Sequence, residues 1–141
     1  MTREELERRV CRVRQELEEA AGDRWPVPKL IAVTKTHSAE EILPLKEIGV
    51  TEIGENRVQE LKGKLPELQG RFGIHLIGRL QRNRVRQIIH DVCMIQSVDS
   101  LKLAAEIDKH AGRIGKIQDV LVEVNIGGEE SKGGVSPEEL S

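Results

Sequence analysis

The chain has 141 residues, with 22 Lys+Arg against 24 Asp+Glu, 38% hydrophobic and 33% charged residues, and a formal net charge of −2. These values fit one soluble globular domain with its own core, and they leave no surplus of positive charge for gripping nucleic acid or an anionic membrane. No apolar run approaches the roughly 20 residues that span a bilayer, and the start, MTREELERRV, lacks the apolar stretch of a signal peptide. Trp25 and Phe72 stand alone as aromatics, so a stacking platform for single-stranded nucleic acid is excluded. Cys11 and Cys93 lie far apart without metal-ligand spacing and read as reduced thiols of a cytoplasmic protein.

The first twenty residues predict a helix. Leu6, Val10, Val13 and Leu17 share one face, Thr2 and Glu5 have capping-box spacing, and Glu4–Arg8 and Glu5–Arg9 are favourable i,i+4 pairs. Gly22 stops that helix, and Trp25-Pro26-Val27-Pro28 leads on as extended chain. Five apolar runs follow: Leu30–Thr34, Val50–Ile53, Ile74–Ile77, Val92–Val98 and Val120–Ile126. Their starts are 20, 24, 18 and 28 residues apart, the rhythm of repeated βα units. Near-continuous Val, Ile and Leu marks strands of a parallel sheet covered on both faces. Ser38 with Glu41 forms a second capping box, and Asp99 or Ser100 caps the stretch that ends at Gly112. Gly63 and Pro66 interrupt a helical reading of 55–70. Ser136-Pro137-Glu138-Glu139 announces a further helix, yet only Leu140 and Ser141 follow. The expectation is a chain truncated relative to the fold it encodes.

In a parallel βα fold, ligands bind beyond the carboxyl ends of the strands. Lys35 closes the first run, where desolvation in a pocket would make its amine nucleophilic toward an aldehyde cofactor. Asn56 follows Gly54-Glu55 at the second strand end, where an amide can read a ligand's polar edge. His75 lies opposite Ile74 and Leu76 on the third strand, as a hydrogen-bonded core residue or a ligand contact. Arg79, Arg82, Arg84 and Arg86 form a basic cluster, read as a solvated helix start, a phosphate site or an RNA contact. Residues 127–134 form a glycine-rich loop without the spacing of a P-loop or a dinucleotide fingerprint.

Taken together, five stretches resemble the pyridoxal phosphate homeostasis proteins, relatives of the N-terminal barrel of alanine racemase. They are 30–36 (LIAVTKT), 54–60 (GENRVQE), 75–83 (HLIGRLQRN), 97–99 (SVD) and 124–132 (VNIGGEESK). The resemblance implies an α/β fold of the (β/α)8 TIM-barrel type. Here it would be a single incomplete barrel domain, 1–141, of about five βα units after an N-terminal helix, lacking the last three strands. It implies that Lys35 carries pyridoxal 5′-phosphate as an internal aldimine, with Asn56 near the cofactor and His75 and Gly78 lining its pocket. No metal site and no catalytic residue follow from it. Arg57 stands where the family commonly has tyrosine, and Arg84 where it has lysine. The family's phosphate-holding groups, and the arginine facing the pyridine nitrogen, lie in the part beyond Ser141 and are not carried over.

The implied function is a cytoplasmic, non-catalytic carrier and regulator in vitamin B6 homeostasis and amino-acid balance. The alternative is a racemase-like enzyme on the same cofactor, which needs acid/base groups on both faces of the substrate carbanion. An RNA-binding or scaffold role for the arginine cluster is the reading from another class. No nucleic acid or membrane partner is expected. The open barrel edges call for a homo-oligomer or a missing C-terminal segment to cover them.

Overall fold

The computed structural model describes residues 1–140. A capping box starts helix α1 (Arg3–Ala21): the Glu5 N–H donates to Thr2 Oγ1 at 3.2 Å, and the Thr2 N–H donates to Glu5 Oε2 at 2.9 Å. Gly22, at φ 56°, ends it. Leu6 and Val10 pack against the core, but Val13, expected on the same stripe, is 40% exposed. Of the expected i,i+4 pairs, Glu5 spends its carboxylate on the cap, and the pair that forms is Arg12–Glu16 at 3.3 Å. Arg14 ties α1 to the rest of the fold by donating to the Ile48 carbonyl at 3.1 Å.

Five strands follow: β1 (Ala32–Val33), β2 (Glu52–Glu55), β3 (Gly73–Leu76), β4 (Met94–Val98) and β5 (Asp119–Val122). They form one parallel sheet in the order β1-β2-β3-β4-β5, with Val33 opposite Gly54, Gly54 opposite His75, and His75 opposite Met94. The order never reverses. That excludes a doubly wound sheet, whose strand order turns back at a switch point, and describes the wall of a partial (β/α)8 barrel. Between the strands lie α2 (Ala39–Ile42), α3 (Pro44–Glu47), α4 (Val58–Leu68), α5 (Val85–Ile88) and α6 (Leu101–Arg113).

The core sits between the sheet and these helices. Ile53, Leu61, Leu68, Leu76, Val85, Ile88 and Ile95 have no exposed surface. Alternation along each strand therefore sends Ile53, Glu55, Ile74, Leu76 and Ile95 toward the helices, and Glu52, Gly54, Gly73, His75 and Gln96 to the opposite, lumen side. The lumen side is open. Val33 is 54% exposed, and Val120, Leu121 and Val122 of β5 all face solvent.

Helix α4 runs through both interrupting residues. Pro66 falls in its last turns, and the buried row Val58, Leu61, Leu65 and Leu68 holds the helix against the sheet more firmly than the proline disturbs it. Ser136 and Glu139 form the announced capping pattern, with the Glu139 N–H donating to Ser136 Oγ at 3.3 Å, and residues 137–140 make a turn. Among the described residues no helix is long and apolar enough to cross a membrane.

Candidate functional site

Lys35, Asn56 and Gly78 come together at the carboxyl ends of β1, β2 and β3. Thr34 extends the β1–β2 ladder by donating its N–H to the Gly54 carbonyl at 3.0 Å. Lys35 and Asn56 each lie two residues past the Val33–Gly54 pair, so both stand just beyond the carboxyl ends of their strands. Gly78 is buried because Asn56 presses on it: a Cβ there would lie 2.7 Å from Asn56 Cγ and closer still to two of its oxygens. From the other side, Ser97 Oγ donates to the Gly78 carbonyl at 2.6 Å. Only glycine allows β2 and β3 to close on each other here. The Asn56 amide is half-buried and makes no hydrogen bond among the described residues, so its donors and acceptor stay available to a ligand.

Lys35 departs from one expectation. Its side chain is exposed, because the lumen side of β1 opens to solvent, where the sequence suggested a pocket. The amine has no ion-pair or hydrogen-bond partner among the described residues.

His75 belongs to a different layer. It is 3% exposed and sits one strand step below the Lys35–Asn56 level, with Nε2 2.9 Å from Glu52 Oε1 and Nδ1 3.1 Å from Gln96 Nε2. The amide donating to Nδ1 leaves the ring proton on Nε2, directed at Glu52. Lys29 reaches the other Glu52 oxygen at 3.2 Å. Burial alone would raise the Glu52 carboxyl, but the bonds from His75 and Lys29 outweigh it and hold the group below its usual range. The bonds to Glu52 and Gln96 fix the His75 ring on the lumen side of β3.

Sequence spacing missed that Cys93 joins this layer. Donor atoms of Glu52, His75 and Cys93 lie within 4.8 Å of one another, a set of types that a divalent metal can use. In the structure Glu52 and His75 instead satisfy each other, Lys29 already occupies Glu52, and burial with the Glu52 charge pushes the Cys93 thiol up, away from the thiolate a metal needs. The only sequence signal was a histidine inside an apolar run.

The arginines divide. Arg57, Arg79 and Arg84 line a cleft of about 360 Å³ outside the ends of β2 and β3, together with Asn56 and Gln81. Arg82 faces a separate cleft beside Glu106. The two family departures, Arg57 and Arg84, thus share one cationic cleft next to Asn56. Lys35 and Asn56, with Gly78 between strands, fit a small aldehyde-bearing ligand on the lumen side: a free primary amine, an unpaired amide and a strand end cleared of side chain.

Comparison with known proteins bears on the family and the fold. A protein of Aquifex aeolicus named pyridoxal phosphate homeostasis protein is 43% identical over 136 residues, covering 94% of this chain and 60% of its own. The solved structure of PipY from Synechococcus elongatus PCC7942, without PLP, superposes with a TM-score of 0.82 at 33% identity over 95% of this chain and 60% of that one. The same protein with PLP bound gives 0.80 at 31%. The chain therefore spans about 60% of the length of these relatives. The parallel sheet in unbroken strand order is accompanied by a match to the model of the alanine racemase N-terminal domain over residues 4–141, and the chain belongs to that family.

Proposed function

We propose that this chain binds pyridoxal 5′-phosphate through Lys35 and serves vitamin B6 homeostasis and amino-acid balance as a non-catalytic carrier and regulator. The observation that carries this reading is the unpaired Lys35 amine just past the end of β1, with the free Asn56 amide just past the end of β2 and Gly78 pressed against it. The names of the relatives and the PLP-bound neighbour support it. When bound, the cofactor supplies an aldehyde that a primary amine attacks and a ring that withdraws electrons. The chain's own part is to present the Lys35 amine, offer the Asn56 amide to a polar edge, and keep the strand end clear at Gly78. His75, fixed by Glu52 and Gln96, fills the layer underneath.

Borohydride reduction in the presence of pyridoxal 5′-phosphate, followed by peptide mapping, should place the pyridoxyl group on Lys35, and Lys35→Ala should abolish it. A label on Lys29, Lys46 or Lys132 with Lys35 free would overturn the assignment.

The names of the relatives as homeostasis proteins support the non-catalytic reading. Racemisation needs an acid/base group on each face of a carbanion, and Lys35 offers one such group at the strand ends. Deuterium wash-in at the α-carbon of alanine should therefore stay at background. Steady exchange at enzyme-like rates, lost in Lys35→Ala, would establish a racemase-like activity instead.

A further inference from the structure

Lys35 stands between two peptide groups that one charged network holds. On its N-terminal side, the Thr34 carbonyl accepts a hydrogen bond from Lys64 Nζ at 3.0 Å. On its C-terminal side, the Thr36 N–H donates to Glu60 Oε1. Lys64 closes the loop by donating to Glu60 Oε1 at 2.9 Å and to Glu55 Oε1. Thr36 has φ 69°, a left-handed conformation that a β-branched residue strongly disfavours, and it is the one described non-glycine residue in that region. The Glu60 carboxylate is what holds it there.

The network is shielded from water where it matters. Glu55 has no exposed surface, its Oε2 lacks a partner, and Lys64 is 8% exposed. Glu60 and Lys64 are both shifted toward their charged forms. Lys64 and then the Thr36 N–H hold Glu60 below the usual carboxylate range. Burial pulls Lys64 down, but its bonds to Glu55 and Glu60 win and leave it raised. A buried charged cluster is seldom better for stability than packed apolar side chains. What this one adds is direction, fixing the two peptide groups that flank a single residue.

We propose that Glu60 and Lys64 are positioning residues for Lys35, clamping the peptide groups on either side of it so that its exposed amine leaves the strand end toward the side shared with Asn56. The proposal rests on the reading of Lys35 as the attachment point. Orientation is a means of favouring this amine over other exposed lysines, and misplacement by about 1 Å can cost on the order of a hundredfold in rate.

The test combines two measurements on wild type, Glu60→Ala and Glu60→Gln. Alanine is a good helix former at this position of α4 and removes the acceptor, whereas glutamine keeps a carbonyl that Thr36 can use. In the cofactor-free protein, the Thr36 amide proton should lie far downfield in wild type, move upfield and exchange faster in Glu60→Ala, and recover in part in Glu60→Gln. The Glu41 amide, held by the separate Ser38 cap, is the internal control and should not move. With pyridoxal 5′-phosphate and borohydride, labelling of Lys35 should slow about tenfold or more in Glu60→Ala, with Glu60→Gln between. Equal labelling rates, or an unmoved Thr36 amide, would overturn the clamp while leaving Lys35 as the attachment point. A wild type that labels elsewhere would overturn both.

Discussion

Lys64→Ala is expected to lower folding stability by about 3–5 kcal/mol at neutral pH, the range for stripping one partner from a buried ion pair. Glu55 would then keep a charge at a site with no exposed surface, with both oxygens short of partners instead of Oε2 alone. Burial already holds the Glu55 carboxyl above its usual range even with Lys64 beside it. Without the ammonium, that push is unopposed. A carboxyl whose folded value is raised contributes stability below the ordinary range and loses it as pH rises through the folded value. The deficit of the variant should therefore be largest near neutral pH and shrink in acid, where Glu55 takes up a proton. Urea unfolding of both proteins across pH 4–8 (about the span that brackets a raised carboxylate) reads this directly. A loss below about 1 kcal/mol at every pH would show that the pair is no more than a surface contact.

Gly78→Ala should cost about 3 kcal/mol, the upper end of the range for overpacking. The atoms in the way include the Asn56 backbone oxygen, which cannot swing aside as the tip of a flexible side chain can. Nor can Gly78 retreat, because its carbonyl is held by Ser97 from β4. Relief requires β2 and β3 to part, which moves Asn56 away from the level of Lys35. The variant should thus lose denaturant resistance and Lys35 labelling together. A stable Gly78→Ala protein that labels Lys35 at the wild-type rate would show that the close approach is dispensable.

The sequence by itself determined the βα rhythm, the parallel sheet, two capping boxes and three strand-end positions. Each depends on residues close together in the chain: continuous apolar runs, an N-cap with its glutamate three residues on, a residue just past a strand. Four strands lie within two residues of the apolar runs and β5 ends four residues before its run does, while Lys35, Asn56 and Gly78 stand just past the ends of β1, β2 and β3. One further signal was readable. Glu55 interrupts an apolar strand, and a buried carboxylate requires a partner. Lys64, on the next helix and four residues from Glu60, supplies it.

Only the tertiary structure decided which partner goes where. Lys64 reaches back 30 residues to Thr34, Glu60 reaches 24 to Thr36, and His75 reaches 23 to Glu52 and 21 to Gln96. Period-two alternation assigns a side chain to a face of the sheet but not to a layer within it, so the sequence left His75 as a core residue or a ligand contact, and register sets it one step below the strand ends. Lys35 looked desolvated because an apolar strand precedes it. Its exposure depends instead on what stands across the lumen from β1, a relation between distant segments that no local pattern encodes.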